Sequence, residues 1–282
     1  MKKKFGDFDE QYAKYENAQV VILPVPYDGT STFVKGADKG PQAIIEASDS
    51  IEMWDIETQT EVYKKGINTA EPVLENESPE MMVEAVYNRV SGFLKDGKFV
   101  VTIGGEHSVS CGSIKAYSEK YSNLSVLQID AHADLREEYM GSKYNHACVM
   151  KRAKDWAKIV QVGIRSVATE EKDFIERERV FYAHEIFQNN KWIKKAIGEL
   201  TENVYLTIDL DGFDPSFLPS TGTPEPGGMN WWQVIELIDN LVKKRNLVGF
   251  DIVELCPNPN EKSSDVTAAK LLYRILSMKY AV

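Results

Sequence analysis

Histidine is scarce in this chain, with four in 282 residues, and cysteine is scarcer, with three. Cys111, Cys148 and Cys256 are odd in number, far apart and free of any C-x-x-C pair, so they argue against a disulfide framework and fit the reduced thiols of a cytoplasmic protein. No apolar run approaches the ~20 residues of a membrane span, so no membrane partner is expected. Basic charge is short too: 33 Lys and Arg against 43 Asp and Glu leave a net charge of -10 and a pI near 5.1. That balance speaks against nucleic acid, which wants a basic surface, and is compatible with a small cationic substrate. The start, Met1-Lys2-Lys3-Lys4, is basic like a signal peptide, but Phe5-Gly6-Asp7-Phe8-Asp9-Glu10 stands where such a peptide needs an apolar region. No repeat, low-complexity segment or charge block breaks the chain. A single domain over residues 1–282, with length enough for a large core, is the expectation.

What the sequence does contain is an alternation of strand-like and helix-like segments. Ala18 to Pro26 (AQVVILPVP) is a buried-type strand followed by the turn-rich Tyr27-Asp28-Gly29-Thr30-Ser31-Thr32. Gly40-Pro41 places proline at the start of a helix over roughly Gln42 to Ser50, because proline's missing N–H costs nothing in the first turn. Ser78-Pro79-Glu80 supplies an N-cap, a first-position proline and a first-turn acid, and Val83, Val86, Val90, Phe93 and Leu94 make one helical stripe. Strands at 99–103, 125–129, 159–164, 204–208 and 247–253 alternate with helices near 112–121, 148–156, 191–200 and 231–243, and a last helix covers roughly 266–278. The strands are continuously apolar, as in parallel sheets covered on both faces. The expected fold is α/β, a three-layer α-β-α arrangement with a mostly parallel central sheet.

The chemistry gathers at three strand ends. Val126-Leu127-Gln128-Ile129 runs into Asp130-Ala131-His132-Ala133-Asp134, and in an extended segment residues i, i+2 and i+4 point to one side. Val204 to Ile208 runs into Asp209-Leu210-Asp211, and Phe99 to Ile103 into Gly104-Gly105-Glu106-His107-Ser108. α/β proteins keep their sites at the carboxyl ends of strands, so His107, Asp130, His132, Asp134, Asp209 and Asp211 are the candidate metal ligands. Four carboxylates with two imidazoles are too many for one tetrahedral zinc and too oxygen-rich for a thiolate metal. They suit two divalent ions bridged by shared carboxylates, with Mn²⁺ the natural occupant, and such a pair activates water for hydrolysis. His184, in Tyr182-Ala183-His184-Glu185, has no such company and is read as a surface or satisfied core histidine. Asp214, before Pro215, is read as a loop anchor, Ser108 as a helix cap and Arg165 as structurally paired.

The motifs G-G-E-H-S at 104–108, D-A-H-A-D at 130–134 and T-I-D-L-D-G-F-D-P at 207–215 resemble those of the ureohydrolase family, the arginases and agmatinases. Thr221-Gly222-Thr223-Pro224-Glu225-Pro226-Gly227-Gly228 and Asp251-Ile252-Val253-Glu254 fit the same family, and the match spans nearly the whole chain. The resemblance implies a manganese hydrolase in which a metal-bridging hydroxide cleaves a guanidino group to urea and an amine. His107 and Asp134 would hold one ion, His132 and Asp211 the other, with Asp130 and Asp209 between them. Asp134 would also move the proton, His146 would shuttle it, and Glu254 would pair with the guanidinium. The residue after His146 is Ala147 where the family often has glycine. Deacetylases share the fold but hold one zinc through an Asp-His-Asp set and lack counterparts of His107 and the second D-x-D. The intact ligand set also speaks against a non-catalytic metal-binding homologue. A homo-oligomer is implied by the resemblance alone. For the substrate tail, the segments 135–145 and 165–171 do not repeat the arginase pattern that reads an α-carboxylate. Agmatine is therefore expected, with Glu137, Glu138, Glu170 and Glu171 offering an acidic rim to its ammonium, and aminopropylagmatine, guanidinobutyrate and arginine are the alternatives.

Overall fold

The computed structural model describes residues 4–281, and the basic start over residues 1–3 lies outside the described residues. Strands β1 (Val20–Val25), β2 (Ile67–Thr69), β3 (Phe99–Gly104), β4 (Leu124–Ile129), β5 (Lys158–Ile164), β6 (Val180–Tyr182), β7 (Asn203–Asp209) and β8 (Asn246–Val253) form one sheet in the order β2-β1-β3-β8-β7-β4-β5-β6. Every pairing is parallel, which sharpens the expected "mostly parallel" sheet. The helices are α1 (Gly40–Ala47), α2 (Pro79–Lys95), α3 (Ser110–Lys120), α4 (Val149–Lys154), α5 (Ala183–Ile186), α6 (Lys191–Glu199), α7 (Trp231–Lys244) and α8 (Ser263–Ala281).

Both faces of the sheet are covered, which is why the strands carry no polar alternation. Val20 and Ile22 of β1 with Val101 and Ile103 of β3 pack against the layer holding α1, α6, α7 and α8. Val21, Leu23 and Val25 with Val100 face the opposite layer, with α2, α3 and α4. Pro24 is tolerated inside β1 because its nitrogen faces the side of β2, which ends at Thr69; there the Pro24 carbonyl accepts from Val73 N–H at 3.0 Å. At the start of α2 the Ser78 hydroxyl accepts from Met81 N–H at 3.2 Å with Pro79 in the first turn, as the sequence pattern requires. Asn230 and Gln233 form a reciprocal capping box at α7, whose buried stripe is Val234, Ile235, Leu237, Ile238, Leu241 and Val242.

The expected segments all form, with shifted ends: α1 starts at Gly40 and gives way to a 3-10 turn at Ser48, and α8 begins at Ser263. The sequence pattern missed β2, β6 and α5, of three, three and four residues, too short to show a period. The polar leader is pinned by one apolar residue. Phe5 is fully buried, and its N–H donates to Thr69 Oγ1 at 2.9 Å.

The carboxyl ends of β3, β8, β7 and β4 are neighbours in the middle of the sheet. β3 and β4 are consecutive in the chain yet separated by two later strands, the kind of reversal at which open α/β sheets bind ligands. On the α1/α8 side, Arg274 of α8 donates to Asp55 and, at 2.5 Å, to Glu57, with Arg274 and Asp55 both almost fully buried. Removing one member of such a pair leaves a buried charge without its counter-ion. Arg274→Met should lower unfolding free energy by about 3–5 kcal/mol in a denaturant titration. Asp55→Asn added to it should recover part of the loss, and no loss in the single variant would show that the pair contributes nothing.

Candidate metal centre and catalytic cavity

Four strand ends deliver the site. His107 follows β3, Asp130, His132 and Asp134 follow β4, Asp209 closes β7 with Asp211 in the next turn, and Glu254 follows β8. His107 Nδ1 lies 3.0 Å from an Asp134 oxygen, 3.1 Å from Asp130 Oδ2 and 3.4 Å from Asp209 Oδ2. His132 Nδ1 lies 3.0 Å from Asp211 Oδ2 and 3.7 Å from Asp130 Oδ1. Two potential metal-holding groups result, His107–Asp130–Asp134 and Asp130–His132–Asp211, and they share Asp130.

Local hydrogen bonds aim these carboxylates. Asp130 accepts from His132 N–H and Gln128 Nε2, both at 2.6 Å, Asp211 from Ala131 N–H at 3.0 Å, and Asp209 from Asp211 N–H at 2.9 Å. The turn after β7 can lie this close to β4 because of Gly212, where a Cβ would stand 2.9 Å from the Asp130 nitrogen. Asp134 (φ +53°) and Glu254 (φ +66°) adopt the left-handed backbone that side chains seldom take. At Asp134 this turns the carbonyl toward α4, where it accepts from Met150 N–H and Lys151 N–H at 3.0 and 3.1 Å, while the carboxylate faces His107.

The donor set fits a metal on a specific observation. The Thr207 hydroxyl lies 2.6 Å from Asp251 Oδ1, to which it donates, and so accepts from His107 Nε2–H at 2.9 Å. That leaves the lone pair on Nδ1, a buried atom without a hydrogen-bond partner, facing three carboxylates. A lone pair turned toward anionic oxygens is repulsive unless a cation sits between them. The pKa shifts carry the same demand for positive charge. Burial pushes the His107 imidazole down, yet Asp130, Asp134 and Asp209 together push it well up. Burial, then Asp211 and Asp130, hold Asp209 well above the carboxylate range.

The cluster opens into a cavity of about 300 Å³ that His107, His132, Asp134, His146, Asp209 and Glu254 help to line. All the expected site residues thus meet, and Glu254 accepts from His107 N–H at 2.7 Å. His146, at the end of the loop after β4, stands over Thr30, with Nδ1 3.1 Å from the Thr30 hydroxyl. His184 does not join them; it is exposed on α5 and stacked on Tyr182. Asp214 anchors its loop by accepting from Gly227 N–H and Gly228 N–H at 2.7 and 3.0 Å. Arg165 ties that loop down through the carbonyls of Asp211 and Glu225 at 2.6 and 2.8 Å. Ser108 caps no helix and turns its hydroxyl to Glu106 instead.

The acidic rim expected from the sequence does not form. Glu137 is held by Lys151 and Arg152 at 2.6 and 2.7 Å, and Glu170 by Arg136 at 2.6 Å. Glu171 is buried, accepting from Leu135 N–H and Ala168 N–H at 2.7 and 2.6 Å. Of the four glutamates only Glu171 lines the cavity. Sequence reading also passed over Thr30, Glu106, Thr207 and Asp251, which support the site without facing it as ligands. Glu106, Thr207 and Asp251 lie inside the quoted motifs, but the contacts Glu106–Thr30, Thr207–His107 and Thr207–Asp251 join residues far apart in the chain.

The sequence matches the profile described as "Arginase family" over residues 18–277. An N(1)-aminopropylagmatine ureohydrolase of Synechocystis is 40% identical, the alignment covering 95% of this chain and 91% of the relative. An agmatinase of Pyrococcus horikoshii is 34% identical, with 93% of each covered. The solved agmatine ureohydrolase of Thermoplasma volcanium superposes with a TM-score of 0.89 at 32% identity, covering 100% of this chain and 95% of that one. The chain belongs to the arginase family. In activity it is a ureohydrolase, a hydrolase of guanidino groups on linear substrates.

Burial first, and then the charges on His132 and His107, push the His146 imidazole down to about 4. A lowered pKa means a ring that is neutral at working pH and becomes protonated only as pH falls through that value. Histidine NMR on the metal-free protein should find His146 titrating near 4, and a titration near the ordinary 6.5 would contradict the buried environment.

Proposed function

We propose that the chain holds two Mn²⁺ ions at this centre and cleaves urea from a linear alkylguanidine that ends in an amine. The observation that supports this most directly is the pair of ligand groups sharing Asp130 on the same cavity as Glu254. His107 and Asp134 fit one ion, His132 and Asp211 the other, and Asp130 and Asp209 lie between. The oxygen-rich set with some imidazole suits Mn²⁺. Bound there, such ions would supply Lewis acidity and lower the pKa of a bound water.

The chain's own groups do the rest. Glu254, buried at the cavity wall, offers a planar carboxylate to the planar guanidinium and fixes its carbon over the cluster. Asp134, against His107, takes the proton of the attacking water and returns it to the departing amine. His146, neutral in its buried setting, carries protons between that amine and solvent.

For the substrate's tail, Arg136 is the one permanent cation on the cavity wall among the described residues. Its guanidinium is already paired with Glu170 and stacked 4.3 Å over the Tyr139 ring. A carboxylate tail finds no free cation there among the described residues, and burying it without a counter-charge is costly. This disfavours arginine and guanidinobutyrate, and it supports agmatine, giving putrescine, or aminopropylagmatine, giving spermidine. The higher identity to the Synechocystis enzyme than to the Pyrococcus agmatinase favours aminopropylagmatine. We further infer one catalytic domain, a homo-oligomeric assembly and a cytoplasmic location; among the described residues no helix is long and apolar enough to cross a membrane.

Elemental analysis after Mn²⁺ reconstitution should give about two ions per chain, the count a two-metal hydrolytic site requires. One ion per chain, unchanged by Asp209→Asn, would reject the centre. Urea release at matched concentrations should give the highest kcat/KM for aminopropylagmatine, then agmatine, with arginine and 4-guanidinobutyrate lower by about 100-fold or more. Either carboxylate substrate leading would overturn the assignment. His146→Ala should keep its metals and lose about 10²–10⁴-fold in kcat.

A further inference from the structure

The loop that follows β1 sets Thr30 against His146 of the catalytic wall, and the end of β3 is built to receive that loop. Gly105 N–H donates to the Val25 carbonyl at 2.8 Å and Glu106 N–H to the Tyr27 carbonyl at 2.9 Å. A Cβ on Gly105 would lie 2.0 Å from that Tyr27 oxygen, so a side chain there would push the loop away. Glu106 is fully buried, and its carboxylate gathers donors: Thr30 N–H at 2.7 Å, the Thr30 hydroxyl at 2.8 Å and the Ser108 hydroxyl. Burial pushes its carboxyl up and the Ser108 and Thr30 hydrogen bonds work against that shift; with every neighbour donating to it and none placed to receive a proton from it, the carboxylate is the acceptor of this group.

The Thr30 hydroxyl has one hydrogen. A carboxylate at 2.8 Å competes for it better than a neutral ring nitrogen at 3.1 Å, because a hydrogen bond to a charged acceptor is about twice as strong. With that hydrogen committed to Glu106, the Thr30 oxygen offers only lone pairs, and it accepts from the backbone N–H of His146 at 3.0 Å. The His146 Nδ1 meets the same oxygen and is therefore the protonated ring nitrogen. Its Nε2, at the opposite edge of a ring that lines the cavity, is left bare.

We propose that Thr30, clamped by Glu106, is a positioning residue that fixes His146 in the Nδ1–H tautomer and so presents Nε2 to the cavity as a proton acceptor. This rests on the reading of His146 as the proton carrier. Without the clamp the ring gains freedom to rotate and to place its hydrogen on either nitrogen, and the fraction of molecules ready to accept a proton falls.

The test pairs a spectrum with kinetics. With four histidines, the metal-free full chain labelled with ¹⁵N at histidine gives a resolvable ring spectrum, in which His146, assigned by its loss in His146→Ala, should be protonated at Nδ1. Thr30→Val keeps the branched shape and removes the oxygen. It should blur that tautomer preference, retain the Mn²⁺ content and KM of the parent, and lower kcat by about 10–100-fold, a share of the roughly 10²–10⁴-fold a placed acid–base group provides. Thr30→Ser, which restores the oxygen, should bring kcat back to within about threefold, a rescue a purely steric role would not give. An Nε2-protonated His146 in the parent, or full kcat in Thr30→Val while His146→Ala is impaired, would overturn the proposal. Full activity in His146→Ala would instead remove the reading of His146 on which it rests.

Discussion

Like charges brought side by side in a buried place set the terms for everything around them. Asp130, Asp134, Asp209 and Asp211 stand at the ends of two adjacent strands, nearly excluded from water, and in a low-dielectric interior their repulsion is strong. Among the described residues no lysine or arginine forms an ion pair with them. Backbone N–H groups and one glutamine donate to Asp130, Asp209 and Asp211, and the cluster's remaining lone pairs face His107 and His132. An arrangement of this kind calls for positive charge at its centre, which is what makes these strand ends able to hold a metal.

The rigidity of that centre comes from the core of the sheet. His107 is held through Thr207 to Asp251, which also accepts from the Tyr205 hydroxyl at 2.7 Å. Tyr205 packs against Tyr117 of α3, ring centroids 4.9 Å apart. The ligand's orientation is thus set by residues of β7 and β8 and by a helix on the opposite layer. Outer partners of this kind fix both ring direction and tautomer. The left-handed backbone at Asp134 and Glu254 is the local strain that such surroundings sustain.

The cluster of candidate ligands was legible in the sequence because each motif is contiguous and strand geometry projects alternate residues to one side. The layers were legible because continuously apolar strands have one architecture that covers both faces. Three kinds of feature were not. β2 and β6 are too short to show a pattern. The partnership of Thr30 with Glu106 and His146 spans 76 and 116 residues, a separation that only the fold reveals. The acidic rim failed for a physical reason: Glu137 and Glu170 have cations within reach on α4 and on the preceding loop, and a glutamate's charge is open to a ligand only when no neighbour has taken it.

The order of strands in the sheet has a consequence for how the molecule comes into being. β3 and β4 lead into His107 and the D-A-H-A-D run, but toward the centre β3 pairs only with β8 and β4 only with β7, which leave the ribosome well after them. Until those two strands slot between them, the nascent chain presents open edges lined with valine, leucine and isoleucine, the surfaces on which chains stick to one another. The centre is also incomplete in that interval, since Asp209, Asp211 and Glu254 arrive with the inserted strands. The two groups able to hold a metal therefore exist only in the finished sheet, where the inserted strands fix the distance between the ends of β3 and β4.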